Sequence, residues 1–183
     1  MGLIMLRIFG NEFFDVLTID EKKQWIKNHY NQLVGSAIFT KNNSITSKVV
    51  RWAENWGKKD KDKFTPSHTG SIIEYDNEIY LFDMKPLRAS VQPLIDYLCN
   101  TKDEYRIVLR NFELDTFMFS KNIAYHIGQW YPYMSAIRSV FTKRSSKWQT
   151  HCSELHIVEL QKQNIYISIN PEVTPDELYY IMT

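Results

Sequence analysis

Two short stretches of this 183-residue chain carry the residue types needed for thiol chemistry. One is Ser67-His68-Thr69-Gly70-Ser71-Ile72-Ile73-Glu74, a histidine opening an apolar strand. The other is His151-Cys152-Ser153-Glu154-Leu155-His156-Ile157, a cysteine opening an apolar helix. A thiol attacks as its thiolate, and near neutral pH most of a free thiol is protonated. A neighbouring imidazole can take that proton, and a helix N-terminus favours the anion through its dipole. Unpaired N–H groups in the same first turn can hold the oxyanion formed in acyl transfer. The chemistry expected of Cys152 and His68 is nucleophilic attack on a carbonyl.

An imidazole in that role needs a third group to fix its tautomer and orientation. Glu74 and Asp83 are the acidic residues at hand. Glu74 lies six residues along the same strand, about 20 Å away at about 3.3 Å per residue, and cannot reach. If Asp76-Asn77 forms a two-residue turn, Gly70 falls opposite Asp83, which then shares the face of His68 and lies diagonally beside it. Diagonal neighbours are about 7–8 Å apart at the backbone, within reach of a carboxylate and an imidazole. A turn one residue longer or shorter would send Asp83 to the other face. Asp83 is the expected orienter on that register.

The elements that must position these residues can be traced from patterning. Thr18-Ile19-Asp20-Glu21 has the form of a capping box, predicting a helix that runs to about Leu33 with Trp25, Ile26, Tyr30 and Leu33 on one side. Gly35-Ser36-Ala37-Ile38-Phe39 reads as a short strand. Asn43 or Ser44 can cap a second, core-facing helix with Ile45, Val49, Trp52, Ala53 and Trp56 at helical spacing. Residues 69–75 and 78–83 form a β-hairpin ended by Pro86. Val91, Leu94, Ile95 and Leu98 predict a helix on which Cys99 is a packed, unreactive thiol. Tyr105, Ile107 and Leu109 alternate as in a strand, residues 114–127 read as a helix stopped by Gly128, and Cys152 opens a buried helix to Leu160. Residues 165–169 read as a strand, and a loop with a short helix follows, Thr174 its cap. Helices and hairpin strands mix without a regular βαβ alternation, which favours α+β.

Composition bounds the rest. The length suits one domain with a core of its own, and 26 aromatic residues (eleven Tyr, ten Phe, five Trp) suggest thick packing and an aromatic-walled cleft. A formal net charge of +1 argues against general nucleic-acid binding. Lys58-Lys59-Asp60-Lys61-Asp62-Lys63 mixes signs and reads as a solvated loop. Two cysteines are too few for a disulfide-rich scaffold. The first nine residues lack the basic lead and cleavage site of a signal peptide, Leu6 stands where a myristoylation motif has Ser or Thr, and no apolar run reaches membrane-spanning length. The expectation is a soluble protein, cytoplasmic as synthesised, without stable membrane insertion.

The chain order, histidine strand first and cysteine helix last, resembles the circularly permuted NlpC-type papain-like hydrolases, in particular the YiiX/YebB-like group. Cys152-Ser153-Glu154-Leu155 matches the cysteine motif of that group, Ser67-His68-Thr69-Gly70-Ser71-Ile72-Ile73 its histidine strand, and Asp83 the acidic place near the end of the next strand. Gly35-Ser36-Ala37-Ile38, Tyr131-Pro132-Tyr133 and Val173-Thr174-Pro175-Asp176-Glu177-Leu178 are softer matches, with Ser36 in place of the usual Asp. The resemblance implies a papain-like α+β fold, a small antiparallel sheet packed on the nucleophile helix. It spans residues 34–183 as the catalytic domain, with 1–33 as an N-terminal helical extension. It implies a cysteine peptidase or amidase with a Cys152–His68–Asp83 triad, a thioacyl intermediate, and a peptide or acyl-amide substrate. Tyr131 and Tyr133 read as structural residues of the turn and are the candidates for substrate binding, one of them lining the cleft.

Rival readings stand beside it. A binding or viral structural protein could keep the fold without catalysis, and an acyl hydrolase or acyltransferase acting on lipid would use the same groups. Cys152 and His156, at i and i+4, could give two metal ligands, with His151, His126 or a carboxylate as the missing donors; two are too few, and neither metal nor cofactor is expected. Glu154, early in its helix, suits the N-terminal dipole. His29 and His126 read as surface or packed imidazoles.

Overall fold

A computed structural model describes residues 8–41, 64–85, 88–129 and 152–183. The helix expected at 45–56, the loop at 58–63, Pro86 and the Tyr131-Pro132-Tyr133 turn lie outside the described residues. The fold is mixed α+β, an open six-stranded antiparallel sheet with seven helices among the described residues.

The strands are β1 (Ile8–Gly10), β2 (Ala37–Lys41), β3 (His68–Tyr75), β4 (Glu78–Lys85), β5 (Arg88–Pro93) and β6 (Glu104–Val108). They are arranged β1-β6-β2-β3-β4-β5, so the histidine strand is internal. The helices are α1 (Asn11–Phe14), α2 (Ile19–Asn28), α3 (Tyr30–Leu33), α4 (Leu94–Asn100), α5 (Thr116–Ala124), α6 (Cys152–Gln161) and α7 (Pro175–Met182).

Local chemistry sets several boundaries. Thr18 caps α2 by accepting from the Glu21 N–H, while the Glu21 carboxylate accepts from the Thr18 N–H at 2.8 Å. The same reciprocal box, Thr174 with Glu177, opens α7. His29 ends α2 by bonding its ring to the Trp25 carbonyl at 2.8 Å, so the single helix expected through Leu33 is divided into α2 and α3. Gly35 then turns the chain into β2 with φ +81°, and a Cβ there would stand 2.2 Å from a Leu114 methyl.

Asp76 and Asn77 both take left-handed φ, 50° and 58°, the signature of a two-residue type I′ hairpin turn. Ser71 pairs with Phe82 and Tyr75 with Glu78, the register on which Gly70 falls opposite Asp83.

A main core gathers Phe14, Trp25, Leu33, Ile38, Ile72, Leu81, Ile107, Phe119 and Leu155 among others; a second joins Ala37, Phe39, Phe64 and Val108 to Ile157 of α6 and to Leu178 and Tyr179 of α7. The described part of residues 1–33 is built into this body. It adds β1 to the sheet beside β6 and three large side chains to the main core.

Three sequence expectations are corrected. Val91 belongs to β5, which pairs along β4, so the helix begins only at Leu94. With Leu94, Tyr97 and Leu98 facing inward, Cys99 falls on the outer side and is exposed. Residues 165–169 are turns and bends rather than a strand. Asn164 and Tyr166 adopt left-handed φ, and the Gln161 side chain donates to the carbonyls of Tyr166 and Ile169, which curls the segment. No helix among the described residues is long and apolar enough to cross a membrane.

Candidate active site

His68 opens β3, and its neighbours are dictated by strand pairing. Ile72 donates to the Ser36 carbonyl of the segment entering β2, so even-numbered residues of β3 turn their backbone groups toward β2 and odd-numbered ones toward β4. The β3–β4 pairing runs as far as Ser71 and Phe82. The next N–H on that side, that of Thr69, meets the sulfur of Cys152 instead. The first residue of α6 thus sits where the β3–β4 ladder stops.

Cys152 is 8% exposed and lies beside the His68 ring, the two interacting through charge and side-chain contact. The Ser153 N–H also donates to the sulfur, as expected in a first helical turn. On its other side His68 Nε2 is hydrogen-bonded to Asp83 Oδ1. With Nε2 committed to the carboxylate, Nδ1 is the ring nitrogen that faces the thiol. The side chain of His68 keeps 24% exposure and that of Asp83 12%, so the imidazole is the member of the set most open to solvent.

The electrostatics follow from this packing. Burial by itself would push the Cys152 thiol up, but the adjacent His68 charge, its hydrogen bond and the Thr69 and Ser153 N–H groups outweigh it, and the thiol is held below its usual value. Burial likewise pushes His68 down, and the Cys152 and Asp83 charges with their hydrogen bonds raise it well above the ordinary histidine value. The pair is therefore stabilised as thiolate and imidazolium.

No protein-family model and no curated protein matches this chain.

The sequence-selected residues divide clearly. Cys152, His68 and Asp83, drawn from α6, β3 and β4, are in mutual contact through the histidine. Tyr131, Tyr133 and His151 lie outside the described residues. Glu74 is engaged elsewhere, its carboxylate near the Tyr30 hydroxyl, while its N–H donates to Ser120. His29 stacks on Trp25 at 4.6 Å between ring centres, and His126 bonds Gln129. Among the described residues no cluster of three or more His, Cys, Asp or Glu could hold a metal ion.

His156 is the participant whose partner sequence reasoning missed. It is fully buried one turn after Cys152, and its Nδ1 is hydrogen-bonded to Ser71 Oγ at 2.9 Å. Burial pushes its pKa down to about 4, so the ring is neutral. The i, i+4 spacing from Cys152 was visible in the sequence; the seat of Ser71 beneath it depends on how α6 lies on β3.

Proposed function

We propose that this protein is a cysteine hydrolase of the peptidase or amidase type that cleaves an amide bond with Cys152, His68 and Asp83. The observation that carries the reading is that one imidazole, His68, is hydrogen-bonded to Asp83 through Nε2 and interacts with the buried Cys152 thiol. Such a set supplies a nucleophile, a proton carrier and an orienter. The finer fold reading, a permuted NlpC-type papain-like domain, is supported by the order of the histidine strand and cysteine helix and by the Cys152-Ser153-Glu154-Leu155 tetrad.

In this mechanism the thiolate attacks the amide carbonyl carbon, forming a C–S bond as the carbonyl electron pair moves to oxygen. The backbone N–H of Cys152, in the first turn of α6, is the donor assigned to that oxyanion. Collapse breaks the C–N bond, and His68 gives its proton to the departing amine, leaving a thioester. His68 then takes a proton from water as the water attacks the thioester, releasing the acid and regenerating the thiolate–imidazolium pair. Asp83 keeps Nδ1 aimed at the sulfur throughout.

Alkylation tests the nucleophile directly, because the exposed Cys99 is a built-in control for access. At pH 6–7 the buried Cys152 should react with iodoacetamide much faster than Cys99; slower reaction at Cys152, or equal sluggishness at both, would sink the reading. Incubating wild type and Cys152→Ala with peptidoglycan fragments and with acyl lipids, and reading products by mass spectrometry, then assigns the acyl donor. Products formed equally by both proteins count against hydrolysis at this site.

A further inference from the structure

The nucleophile helix and the histidine strand touch at a second point. Four residues after Cys152 on α6 comes His156, three residues after His68 on β3 comes Ser71, and these two are hydrogen-bonded at 2.9 Å. Three residues apart on a strand, His68 and Ser71 turn to opposite faces, so both contacts are satisfied together only where the first turn of α6 passes the end of β3 at His68 while His156 lies on the Ser71 face.

His156 is an unusual choice for filling space. It is 0% exposed, packs edge-on against Phe119 with ring centres 5.5 Å apart, and its Nε2 is buried with no hydrogen-bond partner. An orphaned ring nitrogen costs stability, and an apolar side chain of similar size would pack against Phe119 without that cost. What the imidazole supplies, and an apolar group would not, is a directional bond to the strand that carries His68.

We propose that His156, through Ser71, is a positioning residue for the Cys152–His68 pair, one that fixes the seat of α6 on β3 so that the sulfur meets the His68 ring. The proposal rests on the cysteine hydrolase reading above, and it assigns His156 no contact with substrate.

The test uses the full chain in a Cys99→Ser background, so that Cys152 alone is alkylated. Iodoacetamide rates are measured from pH 5 to 10, with thermal unfolding alongside, for the parent, His156→Phe, His156→Asn and Ser71→Ala. His156→Phe keeps the ring and loses the bond, His156→Asn keeps a polar atom near the Nδ1 position, and Ser71→Ala removes the partner. We expect the alkylation midpoint to rise by about one pH unit in His156→Phe and Ser71→Ala, with a rate about tenfold lower at pH 6. Cooperative unfolding should be retained, and His156→Asn should recover most of the parent profile. Parent-like profiles in both disruptive variants overturn the positioning role while leaving the hydrolase reading intact. Failure of both to fold makes the contact structural and also overturns it. A parent whose Cys152 titrates as an ordinary thiol, near about 8.5, overturns the hydrolase reading and this proposal with it.

Discussion

At Cys152, burial and charge oppose each other, and the outcome depends on His68 being held as a cation. Asp83 does part of that holding, by its charge and by the bond to Nε2. The downward shift of the thiol and the upward shift of the imidazole both favour the thiolate–imidazolium form. The stability that His68 contributes is complete below its ordinary 6.5 and is lost as pH rises through its higher folded value. That of Cys152 is complete above its ordinary 9.0 and is lost as pH falls through its lower folded value. A bell-shaped kcat/KM profile is expected, thiol on the acid side and imidazole on the alkaline side. In Asp83→Ala the alkaline limb should move to lower pH and kcat/KM should fall about 10²–10⁴-fold. An alkaline limb that stays in place would detach Asp83 from the histidine.

At the scale of elements, the hairpin from β3 to β4 does most of the positioning. Gly70 lies between His68 and Ile72, and a Cβ there would stand 2.5 Å from a Leu81 methyl and 3.1 Å from the Phe82 carbonyl. Leu81 is buried and has little room to retreat. Gly70→Ala should therefore destabilise the protein by about 1–3 kcal/mol, measured by chemical denaturation. A neutral result would mean the strands separate more freely here than the packing allows. This hairpin was legible in the sequence because everything that sets it is local: Asp76-Asn77 fixes the turn, the turn fixes the register, and the register brings Asp83 to His68. The Thr18 and Thr174 caps were legible for the same reason. Ile165, Ile167 and Ile169 misled because alternation alone suggests a strand, whereas the Gln161 side chain and the left-handed Asn164 and Tyr166 curl the segment. Val91 misled because its apolar spacing fits a helix, but the open edge of β4 captures residues 88–93 as a strand. The bond from Ser71 to His156 joins residues 85 positions apart and has no local signature.

For the molecule as a whole, the sheet ties distant parts of the chain together. β1 pairs with β6 nearly a hundred residues away, and α1 seats Phe14 against Trp25 and Tyr105 in the main core. Phe14→Ala should cost about 3–5 kcal/mol, read from the denaturant midpoint, although Phe14 belongs to a stretch that the sequence set apart from the catalytic domain. A loss below about 1 kcal/mol would mark that stretch as a separable appendage.

The order of the parts along the chain has a consequence for biosynthesis. His68 and Asp83 leave the ribosome with the hairpin, while the sulfur they activate follows about seventy residues later, on α6. Until α6 docks against β3, Cys152 lacks the imidazolium and the Thr69 N–H that lower its pKa, and it is as unreactive as any free thiol. On the proposed cysteine hydrolase reading, a nascent chain is thus protected from its own chemistry, and Cys152 gains its activating partners only when α6 docks on the sheet.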